Sequence, residues 1–69
     1  VRTVQMQLNR IGDNFPAIPK IPADGIYGPA TQAAVTEFQK IFHLPQTGSV
    51  DFATWYEISN VFVAVAGLA

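Results

Sequence analysis

The chain contains no cysteine and few charged residues, and both absences exclude classes of protein. Without cysteine there is no disulfide framework, no thiolate nucleophile and no cysteine-ligated zinc. Charged residues make up 13% of the sequence, and the four basic ones are spread along it: Arg2, Arg10, Lys20 and Lys40. Neutralising a phosphate backbone requires clustered lysine and arginine, so we do not expect nucleic acid as a partner.

Long apolar runs are also absent. The stretch "VFVAVAGLA" at 61–69 has nine residues, whereas a membrane-spanning helix needs about 20. We therefore expect no membrane span, and we interpret this stretch as the last turns of a buried helix followed by a frayed stub. The sequence shows no signal peptide and begins at Val1, so we expect a module of a longer protein whose targeting signal lies elsewhere.

The chain has a single histidine, which argues against catalysis. A catalytic zinc site needs about three protein ligands, usually histidines with a carboxylate, but His43 is the sole histidine. For acyl transfer, Ser49 and Ser59 have only His43 as a candidate base. Glycoside hydrolysis needs two carboxylates across a cleft, whereas we expect the acidic residues in turns, caps and exposed helix positions: Asp13, Asp24, Glu37, Asp51 and Glu57.

What the sequence does contain is apolar residues at helical spacing. Its 69 residues are 49% hydrophobic, which indicates one globular domain over 1–69. The spacing predicts three amphipathic helices. The first ends at Gly12, and the second runs from Pro29 to about His43. The third follows the N-cap Asp51. Predicted inward-facing residues are Val1, Val4, Leu8 and Ile11, then Ala34, Val35, Phe38, Ile41 and Phe42, and finally Trp55, Ile58, Phe62 and Val65.

A proline-rich segment separates the first two helices. "DNFPAIPKIP" at 13–22 carries prolines three residues apart, which predicts an extended loop. We expect Phe15, Ile18 and Ile21 to anchor this loop to the core. A PxxP ligand for an SH3-type domain is the alternative for the same segment.

Two stretches share a pattern that is typical of a repeated turn–helix unit. "PADGIYGPAT" at 22–31 and "PQTGSVDFAT" at 45–54 have Pro, Gly, Ala and Thr at matching positions. Each supplies a glycine able to take positive φ, a hydrophobic plug, an N-cap and a threonine at the third helical position. These are Gly25, Tyr27, Gly28 and Thr31 in one copy, and Gly48, Val50, Asp51 and Thr54 in the other. We expect each threonine to bond back toward its cap and each unit to set its helix at a fixed angle.

The sequence resembles the peptidoglycan-binding domain of the three-helix type found in bacterial cell-wall and spore-cortex hydrolases. The pattern lies in "VRTVQMQLNRIG" (1–12), "DGIYGPATQAAVTEFQ" (24–39) and "TGSVDFATW" (47–55). The resemblance implies an all-α, small three-helix orthogonal bundle. It also implies a monomeric, non-catalytic module without cofactor or metal, which anchors a covalently linked catalytic domain to peptidoglycan outside the cell. The second half also resembles matrix metalloproteinase propeptides, but their cysteine-switch segment is absent.

The sequence departs from the family pattern at two places. The loop between Gly12 and Asp24 is longer than the family's common version, so contacts made by that loop cannot be carried over. His43 stands where the family often has glycine, and we predict that it adopts a left-handed backbone conformation.

We expect the ligand in the groove beside "DGIYGPATQ" at 24–32. Gly28 has no side chain to cap the second helix, so the N–H groups of Ala30 and Thr31 stay open to a carboxylate, such as those that end peptidoglycan stem peptides. The expected ligand-binding residues are Asp24, Gly25, Tyr27, Gly28, Ala30, Thr31, Gln32 and Gln39. Thr31 and Gln32 would bond amides of the stem peptide, and Tyr27 would offer its ring to the muramyl sugar.

The sequence leaves structural alternatives open for several of these residues. Asp24 could fold over the N-terminus of the second helix, and Tyr27 could be a core plug. Gln5 and Gln39, which match the family's recurrent glutamines, could bond backbone between helices instead of ligand. A protein-interaction or prodomain-like module that docks on its own enzyme would share this fold and differ in ligand.

Overall fold

The computed structural model describes residues 1–67, which fold into three α-helices. The helices are α1 (Arg2–Gly12), α2 (Pro29–Ile41) and α3 (Phe52–Ala66). Residues 1–67 contain no strand, and the predicted all-α, three-helix fold is confirmed. The expected frayed stub falls on Leu68 and Ala69, which lie outside the described residues. Across residues 1–67, none of the helices has the length and apolarity that crossing a bilayer requires.

The hydrophobic core lies where α1 packs closely against α3 and less closely against α2. Its buried residues come from all three helices and from the proline-rich loop: Val4, Leu8, Ile11, Ile18, Ile21, Ala34, Val35, Phe38 and Ile58. Phe42 extends the core, because its ring meets Phe38 edge-on at 4.6 Å between centroids and Phe15 at 5.3 Å. Burying one such side chain contributes about 1.5–3 kcal/mol, so these contacts dominate the stability of the domain.

The proline-rich loop is fastened to α1, as its apolar anchors predicted. Ile18 and Ile21 are buried. The side-chain amide of Asn9 donates to the carbonyl oxygen of Ile21 (2.7 Å), and its Oδ1 accepts the N–H of the same residue (2.8 Å). At Gly12 the loop comes so near that a Cβ would lie 3.2 Å from the carbonyl oxygen of Ile18. The close approach of the loop thus favours glycine at this position, the last residue of α1.

The two turn–helix units have the same backbone geometry. Gly25 and Gly48 both take positive φ, at 80° and 74°. The N-caps Gly28 and Asp51 are both extended, with ψ of −168° and −179°. The predicted repeat is therefore confirmed at the level of the backbone, and it starts α2 and α3 in the same way.

Gln5, on α1, holds the first unit through a buried carboxamide. Its Nε2 donates to the carbonyl oxygen of Ile26 (2.9 Å) and to the hydroxyl oxygen of Thr31 (2.9 Å). Its Oε1 accepts the N–H of Gly25 at 2.8 Å. One side-chain amide thus links the loop at Gly25 and Ile26 to the first helical turn of α2.

Gln39, on α2, makes the same contacts in the second unit. Its Nε2 donates to the carbonyl oxygen of Ser49 (3.0 Å) and to the hydroxyl oxygen of Thr54 (3.0 Å). Its Oε1 accepts the N–H of Gly48 at 3.0 Å. We call these two arrangements the glutamine clamps. Each threonine hydroxyl accepts a hydrogen bond from the glutamine of the preceding helix. The prediction that the threonines bond back toward their caps is confirmed for Thr54, whose N–H donates to the Oδ1 of Asp51 at 2.8 Å. It is wrong for Thr31, whose cap Gly28 has no side chain.

Two predicted core residues are exposed. Val1 precedes α1 and is 57% exposed, and Trp55 is 47% exposed. Thr54 and Ile58 take the inward face of α3, with 1% and 0% exposure. Because successive helical residues point about 100° apart, turning Thr54 toward Gln39 rotates Trp55 away from the core. The assignment of Trp55 to the core is therefore wrong.

His43 ends α2 in the predicted left-handed conformation, with φ of 60°. The N–H of Leu44 donates to the carbonyl oxygen of Gln39 (2.8 Å), and the N–H of His43 to that of Lys40 (3.4 Å). This pair of bonds is a Schellman motif, which satisfies carbonyl groups that the end of a helix leaves free. The motif usually places glycine where this chain has histidine.

We predict that Gln39→Met destabilises the domain by at least about 3 kcal/mol. The substitution roughly keeps the side-chain volume but leaves three buried or half-buried polar groups without their partner, and each such group costs about 1–3 kcal/mol. Urea unfolding measures the loss of stability. A variant that is already unfolded without urea would also fit the prediction. The control is Gln46→Met at an exposed position, which should change stability by less than about 0.5 kcal/mol. A Gln39→Met loss below about 1 kcal/mol would contradict the clamp.

We predict that His43→Gly leaves stability unchanged or raises it by up to about 1 kcal/mol, because glycine adopts positive φ without strain. Lys40→Gly is the matched control, since it places glycine at an exposed helical position and should cost about 1 kcal/mol. Both changes are measured by urea unfolding. A loss of more than about 1 kcal/mol on His43→Gly would contradict this prediction and show that the imidazole makes stabilising contacts.

Candidate functional site

The N-terminus of α2 has no side-chain cap. Gly28 is its N-cap, with φ of −115°, and its carbonyl oxygen accepts the first helical N–H, from Gln32, at 2.9 Å. A Cβ added at Gly28 would meet no atom within 4 Å. The space before the second and third helical residues, Ala30 and Thr31, is therefore open on this side.

The N-terminus of α3 differs at this point. There the Oδ1 of Asp51 accepts the N–H of Thr54 at 2.8 Å. This bond to the carboxylate holds the pKa of Asp51 below its usual value. The two units therefore share a backbone but not a cap, since the N-cap side chain occupies the N-terminus of α3 but not that of α2. Val1, at the start of α1, also provides no side-chain cap.

Asp24 does not supply the missing cap. Its Oδ1 accepts the N–H of Ile26 at 2.9 Å and lies 3.3 Å from the Nε2 of Gln5. The carboxylate therefore closes its own turn, in the manner of an Asx turn. The alternative in which Asp24 folds over the N-terminus of α2 is not observed.

Six of the eight predicted ligand-binding residues have accessible surface, and two do not. The accessible residues are Asp24, Gly25, Tyr27, Gly28, Ala30 and Gln32. Thr31 is 2% exposed and Gln39 is 0% exposed. Their side-chain polar groups are engaged in the glutamine clamps, so we correct both side chains from ligand contacts to parts of the scaffold. The alternative in which Gln5 and Gln39 bond the protein itself is the one that the structure shows.

Tyr27 links the two turns. Its hydroxyl donates to the carbonyl oxygen of Gly48, and partial burial raises the pKa of the phenol. The side chain is still 40% exposed. Tyr27 is therefore not a fully buried core residue, which was the alternative that the sequence left open. Beside it lies a recess of about 210 Å³, which Val1, Val4 and Val50 complete.

An open groove of about 600 Å³ lies on the other side of this N-terminus. One wall is α2, through Pro29, Gln32, Ala33, Thr36 and Glu37, and the other is the proline-rich loop, through Ala17 and Pro19. The sequence predicted that the loop is anchored to the core, but it did not predict that Ala17 and Pro19 line a groove with α2. The residues around α2 offer backbone N–H groups, an amide and an aromatic ring, which can bind a ligand by hydrogen bonding and packing.

Sequence reasoning also missed an aromatic patch, formed by Phe52, Trp55 and Tyr56. These side chains are 77%, 47% and 56% exposed. The ring of Phe52 lies 6.1 Å from that of Trp55 and 6.2 Å from that of Tyr56, measured between centroids. Their spacing of three and four residues could have revealed one shared helix face, but the interpretation of Trp55 as core concealed it.

No three histidine, aspartate or glutamate side chains lie together as candidate metal ligands in the part of the chain that the structure describes. Among the charged residues, Asp24 lies in the turn before the uncapped helix end and Glu37 lines the groove.

Comparison with known proteins identifies the family. A family model described as a peptidoglycan binding domain matches residues 1–58, which include α1, α2 and the first turns of α3. No curated protein and no solved structure matches the chain significantly. The match covers most of the sequence, and it coincides with the two clamped turn–helix units. The chain belongs to the peptidoglycan-binding domain family.

Proposed function

We propose that the chain is a non-catalytic module, spanning 1–69 and acting as a monomer, that holds an attached wall-active enzyme on peptidoglycan. Its place of action would be the cell wall or spore cortex of a bacterium, outside the cytoplasm. Family membership supports the choice of ligand. The observation that carries the proposed site is the N-terminus of α2, which has no side-chain cap and lies between the recess at Tyr27 and the groove at Gln32.

The proposed ligand at this position is a carboxylate of the stem peptide. The first N–H groups of a helix have no intrahelical partner, and the helix dipole favours a negative charge beside them. The N–H of Ala30 is the main proposed donor, and the N–H of Thr31 adds to it. The backbone of Gly28 leaves room for the ligand, because no Cβ stands in the way.

The remaining contacts follow from the surfaces on either side. The exposed amide of Gln32 would bond an amide of the stem peptide along the groove, and the exposed part of the Tyr27 ring would contact the muramyl sugar. Gly25 and Asp24 shape the adjoining turn. Because the proline-rich loop forms the second wall of the groove, it would help this chain select among stem peptides.

We predict that Gly28→Asp weakens binding to purified, protein-free peptidoglycan sacculi at least about tenfold. The new carboxylate would occupy the N–H groups of α2 and repel a ligand carboxylate. Since φ at position 28 is negative and a side chain has room there, the melting temperature should hold or rise slightly, because Asp caps better than Gly by a few tenths of a kcal/mol. Co-sedimentation measures binding, and calorimetry measures stability.

The matched control is Gln46→Glu, which makes the same change in net charge at an exposed position beyond the C-terminal end of α2. It should bind sacculi like the parent chain. If Gly28→Asp folds normally and also binds like the parent, the carboxylate site is not at α2.

The same sacculi separate the proposed function from its competitors. A chain that fails to sediment with sacculi but binds its own catalytic domain would instead be a prodomain-like module. Release of reducing sugars or free amines from sacculi by the purified chain would contradict the non-catalytic assignment. Binding without release is the expected result.

A further inference from the structure

The aromatic patch on α3 is not explained by folding. Phe52 is the most exposed large apolar side chain of the patch, and Trp55 and Tyr56 each leave about half of their surface in water. The helix buries Thr54 and Ile58 instead. Contiguous exposed apolar surface of this kind marks an interaction site more often than a structural one.

The three rings of the patch lie close together, with their planes at small angles to one another. The planes of Phe52 and Tyr56 differ by 16°, and those of Phe52 and Trp55 by 31°. Residues 52–56 contain no charged side chain, and neither Asp nor Glu lies in the first turn of the helix. The carboxylates of Asp51 and Glu57 flank this segment on either side. A ligand for the rings is therefore apolar on one face and carries no negative charge there.

A pyranose ring fits this description. Its axial C–H groups form an apolar face with partial positive charge, which the negative face of an aromatic ring attracts, while its hydroxyl and acetamido groups point outward. The phenol of Tyr56 and the indole N–H of Trp55 add polar tips that can bond those groups. Aliphatic side chains would offer neither the flat face nor the polar tips.

We propose that the aromatic patch binds the glycan strand of peptidoglycan, a chain of β-linked N-acetylated amino sugars, by stacking sugar rings on Phe52, Trp55 and Tyr56. This inference rests on the proposed function, and it assigns the sugar chain and the stem peptide to different surfaces. The two surfaces adjoin along the chain, since the patch begins four residues after Gly48, whose carbonyl oxygen holds Tyr27. A polymer that carries peptides on sugars could thus contact α2 and α3 together.

The chain contains its own reporter for this site, because Trp55 is its only tryptophan. The probe is a β-1,4-linked hexamer of N-acetylglucosamine, which has the sugar chain without stem peptides. Titration should shift the tryptophan emission to shorter wavelength and reduce its quenching by acrylamide, since a stacked sugar excludes water and quencher from the indole.

Phe52→Ala tests the aromatic patch while keeping Trp55 as the reporter. It should weaken hexamer binding roughly threefold to tenfold, as expected for loss of one aromatic contact. Its unfolding midpoint should stay near that of the parent because the side chain is exposed. Met6→Ala is the matched control, since it removes another exposed apolar side chain (56%), on α1, and it should leave hexamer binding unchanged.

The outcomes separate this inference from the proposed function. The patch inference fails if millimolar hexamer leaves the emission and quenching of Trp55 unchanged. The proposed function still stands in that case, provided that the chain binds sacculi and that Gly28→Asp weakens this binding. If the chain does not bind sacculi at all, the proposed function fails. A shift of Trp55 emission with protein concentration alone, or on adding phospholipid vesicles without hexamer response, would assign the patch to a second copy or to a lipid surface and overturn the proposal.

Discussion

Each turn–helix unit is held by a glutamine carboxamide buried on the preceding helix. Such an amide has two donors and an acceptor, and in Gln5 and Gln39 both kinds of group are bonded to the turn that follows. Burying an amide without partners would cost several kcal/mol, so the turn must adopt the one shape that satisfies it. The shape includes a glycine with positive φ whose N–H points at the glutamine oxygen.

The clamps also set how α2 and α3 are rotated about their axes. Gln5 draws the hydroxyl of Thr31 inward, and Gln39 does the same to Thr54. In α3 this choice leaves Trp55 and its aromatic neighbours in solvent. The polar contacts of the scaffold thereby determine which side chains are free to meet a ligand, so the fold and the proposed binding surfaces have a common cause.

Much of the architecture could be predicted from the sequence, since apolar spacing locates the three helices and glycines mark the turns. Positive φ at Gly25 and Gly48 was predicted from the residue type, and the left-handed His43 from the glycine that the family often has at its position. The rotation of α3 could not be predicted in this way. Apolar periodicity ranks Trp55 above Thr54 as a core residue, and only the buried partner at Gln39 reverses that order.

The site was predictable only where it depends on local geometry. The uncapped Gly28 follows from its lack of a side chain, whereas Gln39 was expected at the ligand and belongs to the scaffold. The repeat is hard to recognise in the sequence because the glutamine and its turn are spaced differently in the two units. Gln5 precedes Asp24 by 19 positions, whereas Gln39 precedes Thr47 by 8. The longer first interval contains the proline-rich loop, which forms one wall of the groove beside α2.

The clamps are tested most directly by amide hydrogen exchange at Gly25 and Gly48, the two N–H groups that the glutamine oxygens accept. Both amides are expected to exchange about as slowly as amides in the middle of α1 and α2, since releasing them requires breaking the clamp. Ser49 is the internal comparison, because its N–H bonds the hydroxyl of Thr47 in an exposed turn, and it should exchange much faster. Exchange of the Gly48 amide within about tenfold of the rate for an unfolded chain would contradict the account.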